Sequence, residues 1–348
     1  MAVDDEKGCD IQYLGQRHVI KTMKVLLLGA SGLLGHNVLR RLLDGGHAVR
    51  VLVRRKDGIH LPDEGWQTVV GNLTDDRTLL AAAEGVEAII NCAGVTDMSL
   101  LHRSDYEAVN SRLCTRLLDV MKYHGIRCLV HVSTANTIGF GTPGKPATEE
   151  APMQEPFLSS YYADTKRVGE TILQDAARHN PEWRLVIVNP GYMIGPMDVK
   201  PSSGRMLLLG YRKRLMFAPR GGKAFVDVRD VAQAVVNALV QGRSGERYIA
   251  VNRHGCLAIS ELYKMQARVM GYRQCIVTLP NWMLRLAGAL GDGLRWLGIP
   301  TELATRNVRQ LMVREYYDNG HAISDLNMPQ TPIEQAIADF YRWREQKQ

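Results

Sequence analysis

The sequence predicts an α/β fold: a doubly wound parallel sheet of about seven strands, with a smaller, mainly helical substrate-binding region. Three observations carry this. A short apolar run, Val25-Leu26-Leu27-Leu28, enters the turn Gly29-Ala30-Ser31-Gly32-Leu33-Leu34-Gly35 and then a helical pattern over 36–43. Strand-like apolar runs alternate with amphipathic stretches as far as residue 251. The connections between them are short. Repeated βα units of this kind put helices on both faces of a parallel sheet.

The first unit sets the chemistry. Gly29 allows a tight turn, Gly32 lets backbone N–H groups approach a ligand, and Gly35 lets the helix close on the strand. Strand, glycine turn and helix N-terminus in that order make a pyrophosphate site, with Gly29, Ser31, Gly32, Leu33, Leu34 and Gly35 as candidates. The spacing is G-x-x-G-x-x-G rather than G-x-G-x-x-G, so the flanking strand and helix carry the reading.

In order, strands follow over 48–53 and 67–70. A helix starts at Asp75 with Thr74 as N-cap, and Ala81-Ala82-Ala83 favour it. A fourth strand covers 88–90, one long amphipathic helix 104–123, and a fifth strand 128–132. A helix over 159–178, a sixth strand at 185–188, a helix over 227–239 and a seventh strand at 248–251 complete the sheet. Residues 1–22 carry mixed charge, precede Met23 and are set outside the fold. The sheet domain then comprises 23–190 and 227–252, and the cap 191–226 and 253–348.

Composition narrows the partners. The 348 residues are 45% hydrophobic, which suits an ordinary globular core. The net charge of +7 favours anionic small molecules, but the charges are scattered. Arg54-Arg55-Lys56 and Arg212-Lys213-Arg214 are dense basic runs without interleaved aromatics, so nucleic acid is not expected. Cys9, Cys92, Cys114, Cys128, Cys256 and Cys275 form no CxxC pair and no metal spacing. Most lie in apolar runs and read as reduced core residues of a cytoplasmic chain. No signal peptide opens the sequence, and no apolar run reaches membrane-spanning length.

An NAD site places a carboxylate at the end of the second strand, on the ribose 2′-hydroxyl. Here Val53 is followed by Arg54 and Arg55. A guanidinium suits a 2′-phosphate, so NADP(H) is favoured over NAD(H), with Arg54 as its reader. The alternative is a solvated turn and either cofactor.

Tyr162 and Lys166 stand four apart in Tyr161-Tyr162-Ala163-Asp164-Thr165-Lys166, on one face of a helix. A free tyrosine pKa of about 10 is too high for a base near neutrality. A fixed ammonium nearby is expected to lower it and make an acid/base for a substrate oxygen. The fifth strand ends in His131-Val132-Ser133-Thr134, which brings two hydroxyls to the edge where ligands bind in such sheets.

Taken together, the GASGLLG turn, Asn91-Cys92-Ala93-Gly94, Ser133-Thr134-Ala135, Tyr162/Lys166 and Asn189-Pro190-Gly191 resemble the extended short-chain dehydrogenase/reductases, also called the epimerase/dehydratase superfamily, built on a Rossmann-type sheet. The resemblance implies hydride transfer between nicotinamide C4 and a substrate carbon, with Tyr162 as proton donor or acceptor. It implies that Lys166 lowers the tyrosine pKa and holds the nicotinamide ribose. It points to Thr134 as the catalytic hydroxyl with Ser133 as its neighbour. Ala93 and Gly94 would face the cofactor through their backbone, and Pro190 and Gly191 would border the nicotinamide amide. Asn189 departs from the commoner Arg-Pro-Gly. Asn72 and Leu73 resemble the loop beside the adenine, although the family usually has Asp at the first position. Asn110 resembles a site asparagine, or is a buried, hydrogen-bonded amide.

The stretches from Tyr317 to Leu326 and from Thr331 to Trp343 are similar to dihydroflavonol-4-reductase-like and 3β-hydroxysteroid-dehydrogenase-like members. That implies a hydrophobic small-molecule ketone or alcohol, and a homodimer through 104–123 and 159–178. NAD-dependent nucleotide-sugar epimerases and dehydratases share the core and form the runner-up. A non-catalytic NADP(H)-binding regulator is a third reading, against which Tyr162 and Lys166 argue. The apolar stretch 282–297 is read first as a helix docked in the cap. An interfacial membrane helix is the lesser reading, weakened by its glycines.

Overall fold

The computed structural model describes residues 22–55, 58–61 and 65–346; residues 1–21 of the N-terminal extension, with Cys9, and Lys56 lie outside them. The chain runs β1 (Lys24–Leu28), α1 (Leu33–Asp44), β2 (Ala48–Val53), β3 (Trp66–Val70), α2 (Asp76–Ala83), β4 (Ala88–Asn91), α3 (Ser104–Asn110), α4 (Arg112–His124), β5 (Cys128–Val132), α5 (Tyr161–His179) and β6 (Arg184–Pro190). It continues with β7 (Tyr192–Ile194), α6 (Gly204–Gly210), β8 (Leu215–Ala218), β9 (Gly222–Asp227), α7 (Val228–Asn237), β10 (Arg247–Ala250), β11 (Cys256–Ala258), α8 (Ile259–Val269), β12 (Cys275–Thr278), α9 (Asn281–Trp296), α10 (Thr305–Val308), α11 (Gly320–Leu326) and α12 (Ile333–Glu345).

Seven strands form one sheet in the order β10-β6-β5-β4-β1-β2-β3, and every pairing is parallel. Central strands β4 and β5 are buried throughout, because both faces are covered. Val25, Leu27, Val51, Ile90 and Val130 face one core with residues of α1 and α7. Leu26, Leu28, Ile89 and Leu129 face the other with residues of α2, α4 and α5. The chain steps outward from β1 to β3 and then returns to β4 on the other side of β1. This reversal opens a crevice at the carboxyl ends of β1 and β4, the place such sheets bind ligands.

Beside this sheet lie a three-stranded sheet, β11-β9-β7, and a two-stranded one, β12-β8. Phe225, Leu207, Leu262, Ile337 and Phe340 form a separate core under them. Among the described residues, no helix is long and apolar enough to cross a membrane.

Two local expectations need correction. The helix over 104–123 is broken: Ser111 has φ −124° and ψ −55°, and its hydroxyl donates to Glu107 O at 3.1 Å. The N-cap of α2 is Asp75, which accepts from Thr78 N at 3.1 Å, one residue beyond Thr74. The described cysteines are free as expected: Cys114 and Cys128 are buried, Cys92 and Cys256 pack against the cores, and Cys275 alone among them is exposed, on β12.

Candidate active site

The glycine turn has the shape its sequence implies. Gly29 has φ +79°, and a Cβ there would lie 2.6 Å from Ala93 N, so the β1 and β4 turns are in contact. A Cβ on Gly35 would lie 2.0 Å from Gly29 O, which explains the close approach of α1 to its strand. Gly32 is the N-cap of α1, and no side chain caps that end. Ser31 and Gly32 are exposed, whereas Leu33 and Leu34 bury their side chains and can offer a ligand only their backbone. These features fit a pyrophosphate held on backbone N–H groups at the positive end of the helix dipole.

Arg54 and Arg55 are exposed at the carboxyl end of β2, on the same edge. No carboxylate precedes them in that strand. Asn72 is also exposed, and its Oδ1 accepts from Thr74 N at 3.1 Å. It shapes the turn before α2.

Two asparagines hold the turn after β4. Asn91 Oδ1 accepts from Ala93 N at 3.1 Å, and its Nδ2 meets His131 Nδ1 on β5 at 3.1 Å. Asn110 accepts from Val95 N at 2.8 Å and donates to Val95 O at 3.0 Å. Asn110 is therefore a buried amide that clamps the loop leaving Ala93 and Gly94.

The N-terminal half of α5 faces this turn. Ser160 caps the helix by accepting from Ala163 N. Lys166 is buried and donates to Val132 O at 2.9 Å and Ala93 O at 3.3 Å. A Cβ on Gly94 would lie 3.1 Å from Lys166 Nζ, so the ammonium stands between the ends of β4 and β5. Burial lowers the Lys166 pKa, against the thiols of Cys114 and Cys92 and the carboxylate of Glu170, which raise it. In return, burial pushes the Cys92 thiol up to about 12.

The Tyr162 pKa is raised, and this corrects the sequence expectation. Burial is the main cause; the Thr134 hydroxyl lowers it, and the Glu170 carboxylate raises it again. Lys166 gives its hydrogen bonds to two backbone carbonyls, Val132 O and Ala93 O. The phenol is the stable form here.

Thr134 Oγ1 also accepts from Asn136 N at 3.3 Å. Ser133 Oγ is buried with no hydrogen-bond partner, an orphaned hydroxyl beside the pair. Such a group costs free energy unless something satisfies it, which fits a ligand at this edge.

Under the site lies a buried polar network that the sequence reading missed. Glu170 accepts from Asn189 Nδ2 at 2.6 Å and from Thr137 Oγ1 at 2.7 Å, and pairs with Arg247 at 3.5 Å. Asn189 also donates to Thr134 O at 3.1 Å. Asn189 is neutral where Arg-Pro-Gly would supply a cation, and Arg247 on the neighbouring strand supplies it instead. One signal was available: Glu170 stands four beyond Lys166 and eight beyond Tyr162, on the same helix face. Gly191 follows Pro190; a Cβ there would lie 2.2 Å from Ala224 O, so that glycine serves the close pairing of β7 with β9.

The cap reaches the site from the other side. Arg295 Nη1 donates to Ser99 O at 2.9 Å, and Asn307 Nδ2 to Met98 O at 2.8 Å. The Arg306 guanidinium lies 3.9 Å from the ring centre of Tyr161, next to Tyr162.

The profile of the "NAD dependent epimerase/dehydratase family" matches residues 25–252. A "Putative dihydroflavonol 4-reductase" of Synechocystis sp. is 30% identical, over 90% of this chain and 92% of that protein. "Sterol demethylase protein B" of Methylococcus capsulatus is 28% identical, over 92% and 98%. The crystal structure of gox2253 has the same fold, with a TM-score of 0.79 at 23% identity, over 94% of this chain and 99% of that one. The chain belongs to the NAD dependent epimerase/dehydratase family, the extended short-chain dehydrogenase/reductases, and is an oxidoreductase of CH–OH groups.

Proposed function

We propose that the protein is an NADP(H)-dependent reductase or dehydrogenase that interconverts an apolar ketone and its secondary alcohol. The observation that carries this is the convergence of Tyr162, Thr134 and Lys166 at the open edge of β4 and β5, beside an uncapped helix N-terminus.

In the reducing direction a bound nicotinamide would supply the hydride for the carbonyl carbon. Thr134 donates a hydrogen bond to the carbonyl oxygen and fixes it for transfer. Tyr162 gives its proton to that oxygen as the carbonyl π bond breaks, and its phenolate is reprotonated from solvent. Oxidation runs the same steps in reverse. Lys166 would hold the nicotinamide ribose, and it fixes α5 against the turn at Gly94 through Ala93 O and Val132 O. Gly29 to Gly35 would hold the pyrophosphate, and Ala93, Gly94, Pro190 and Gly191 would meet the ring through their backbone.

The arginines at the end of β2 support NADP(H), since a guanidinium pairs with a 2′-phosphate while a family member built for NAD has a carboxylate there. The relatives' printed names, one for a dihydroflavonol and one for a sterol, support a ring-bearing apolar substrate. A nucleotide-sugar epimerase or dehydratase stands second because Val53, Arg54 and Arg55 occupy the NAD-reading position.

The test is a screen of steroidal and aryl ring ketones while NADPH absorbance is followed. Turnover of at least one such ketone is expected. Turnover of a nucleotide sugar and of none of the ketones would move the protein to the second reading. Arg54→Asp is expected to reverse the preference between NADPH and NADH; an unchanged ratio removes Arg54 from that role.

A further inference from the structure

Helix α9 docks in the cap, but by a narrow edge rather than by its apolar side chains. Only Leu284, Gly288 and Gly291 are buried. The glycines are the docking surface: a Cβ on Gly288 would lie 2.9 Å from Thr305 Oγ1, and one on Gly291 2.4 Å from Leu303 O. Close approach through a glycine edge turns the bulky side chains outward. Trp282, Leu286 and Leu290, at four-residue steps, share that outer face, and Leu290 is 66% exposed. Trp296, at the end of the helix, is 87% exposed. The chain enters α9 from β12, which pairs with β8, and Leu215 and Phe217 of β8 also face solvent.

Charge decides what fits such a face. From Arg212 to Arg220 there are four basic residues and no acidic one. From Lys264 to Pro300, Lys264, Arg268, Arg273 and Arg285 are exposed while Arg295 binds backbone carbonyls, against one acidic residue, Asp292, whose carboxylate accepts from Thr305 N. Two copies apposed by this face would bring like charges together. An anionic surface with an apolar interior complements both the arginines and the tryptophans.

We infer that α9, with the β8–β12 edge, docks on an anionic lipid bilayer surface. Trp282, Leu286, Leu290 and Trp296 enter the boundary between headgroups and acyl chains. Arg212, Lys213, Arg214 and Arg285 meet the headgroup phosphates. Docking holds the α9 end that binds Ser99 and Leu100, next to the candidate active site, against the bilayer. It requires no particular substrate and stands apart from the catalytic proposal.

The experiment is co-sedimentation of the full chain with vesicles of equal parts phosphatidylglycerol and phosphatidylcholine, and with phosphatidylcholine alone. Binding to the anionic vesicles is expected, weakened at least about tenfold without the anionic lipid. The triple variant Arg212→Glu, Lys213→Glu, Arg214→Glu is expected to lose as much. Trp282→Ser with Trp296→Ser is expected to abolish pelleting while the melting temperature and NADPH affinity stay at wild-type values. Brominated lipid is expected to quench tryptophan emission in the wild type and not in Trp282→Phe with Trp296→Phe. A wild-type chain that stays in the supernatant with anionic vesicles overturns the proposal. So does a serine variant that only turns a dimer into a monomer in sedimentation velocity, with vesicle binding unaltered.

Discussion

Tyr162 is a phenol that burial keeps protonated, and its neighbours pull in opposite directions. Desolvation and the Glu170 carboxylate raise its pKa, while the Thr134 hydroxyl lowers it. In the cofactor-free protein its ionisation therefore lies above the ordinary value of about 10. The difference absorbance titration of wild type against Tyr162→Phe is expected to place it there, and a transition near neutrality would contradict the geometry. Carbonyl reduction, which needs the phenol, is then supported through neutral pH, while alcohol oxidation rises as pH approaches that ionisation. Glu170 matters to stability as much as to the site. Removing it as Glu170→Ala leaves Arg247, Asn189 and Thr137 without their buried acceptor. The expected cost is about 3–5 kcal/mol, read from denaturant unfolding, and a loss within experimental error would mean that the network is not coupled. Tyr162, Lys166, Ser133 and Thr134 were legible because each sits at a fixed offset from a strand end or on one helix face. The partners of Glu170 were not, since Thr137, Asn189 and Arg247 meet it only through the sheet.

At the scale of elements, apolar runs and glycine turns placed all seven sheet strands to within a few residues. The parallel arrangement makes each strand continuously hydrophobic, which is why they stand out. The break between α3 and α4 has no Gly or Pro to announce it. At the break Ser111 bonds back to Glu107, a local contact, while Asn110 reaches across to the backbone of Val95, which no local pattern encodes. The α1 N-terminus is the element most sensitive to substitution. In Gly35→Ala the new methyl would collide with the backbone oxygen of Gly29. Overpacking of this kind costs about 1–3 kcal/mol and displaces the turn, so NADPH affinity is expected to fall along with stability. A stable, fully binding alanine variant would show that the turn is not the pyrophosphate site.

For the whole molecule, the seven-stranded sheet supplies the cofactor edge and the smaller sheets with α9 and α10 supply the cover. The sequence marked out both, the cap as 191–226 and 253–348, but not how α9 packs. The sequence 282–297 is apolar enough for a core helix, and its docking by glycines rather than by leucines depends on where 303–305 pass. Cofactor choice is also a property of the whole chain, because ligand binding to the native state alone raises global stability. At a free ligand concentration of a hundred times Kd the gain is about 2.7 kcal/mol. NADPH is expected to raise the melting temperature more than NADH at equal concentration, and Arg54→Asp to invert that order. Equal shifts in the wild type would mean that the β2 arginines form a solvated turn.

The central claim is that Tyr162 delivers the proton while hydride passes to the same carbonyl. The most direct measurement is a single turnover of a ketone found in the screen with NADPH deuterated at nicotinamide C4, comparing wild type with Tyr162→Phe. Deuterium is expected on the carbinol carbon in the wild type. The variant is expected to bind NADPH with unchanged affinity and to react about 10²–10⁴-fold more slowly. A variant that transfers deuterium at the wild-type rate would contradict the account.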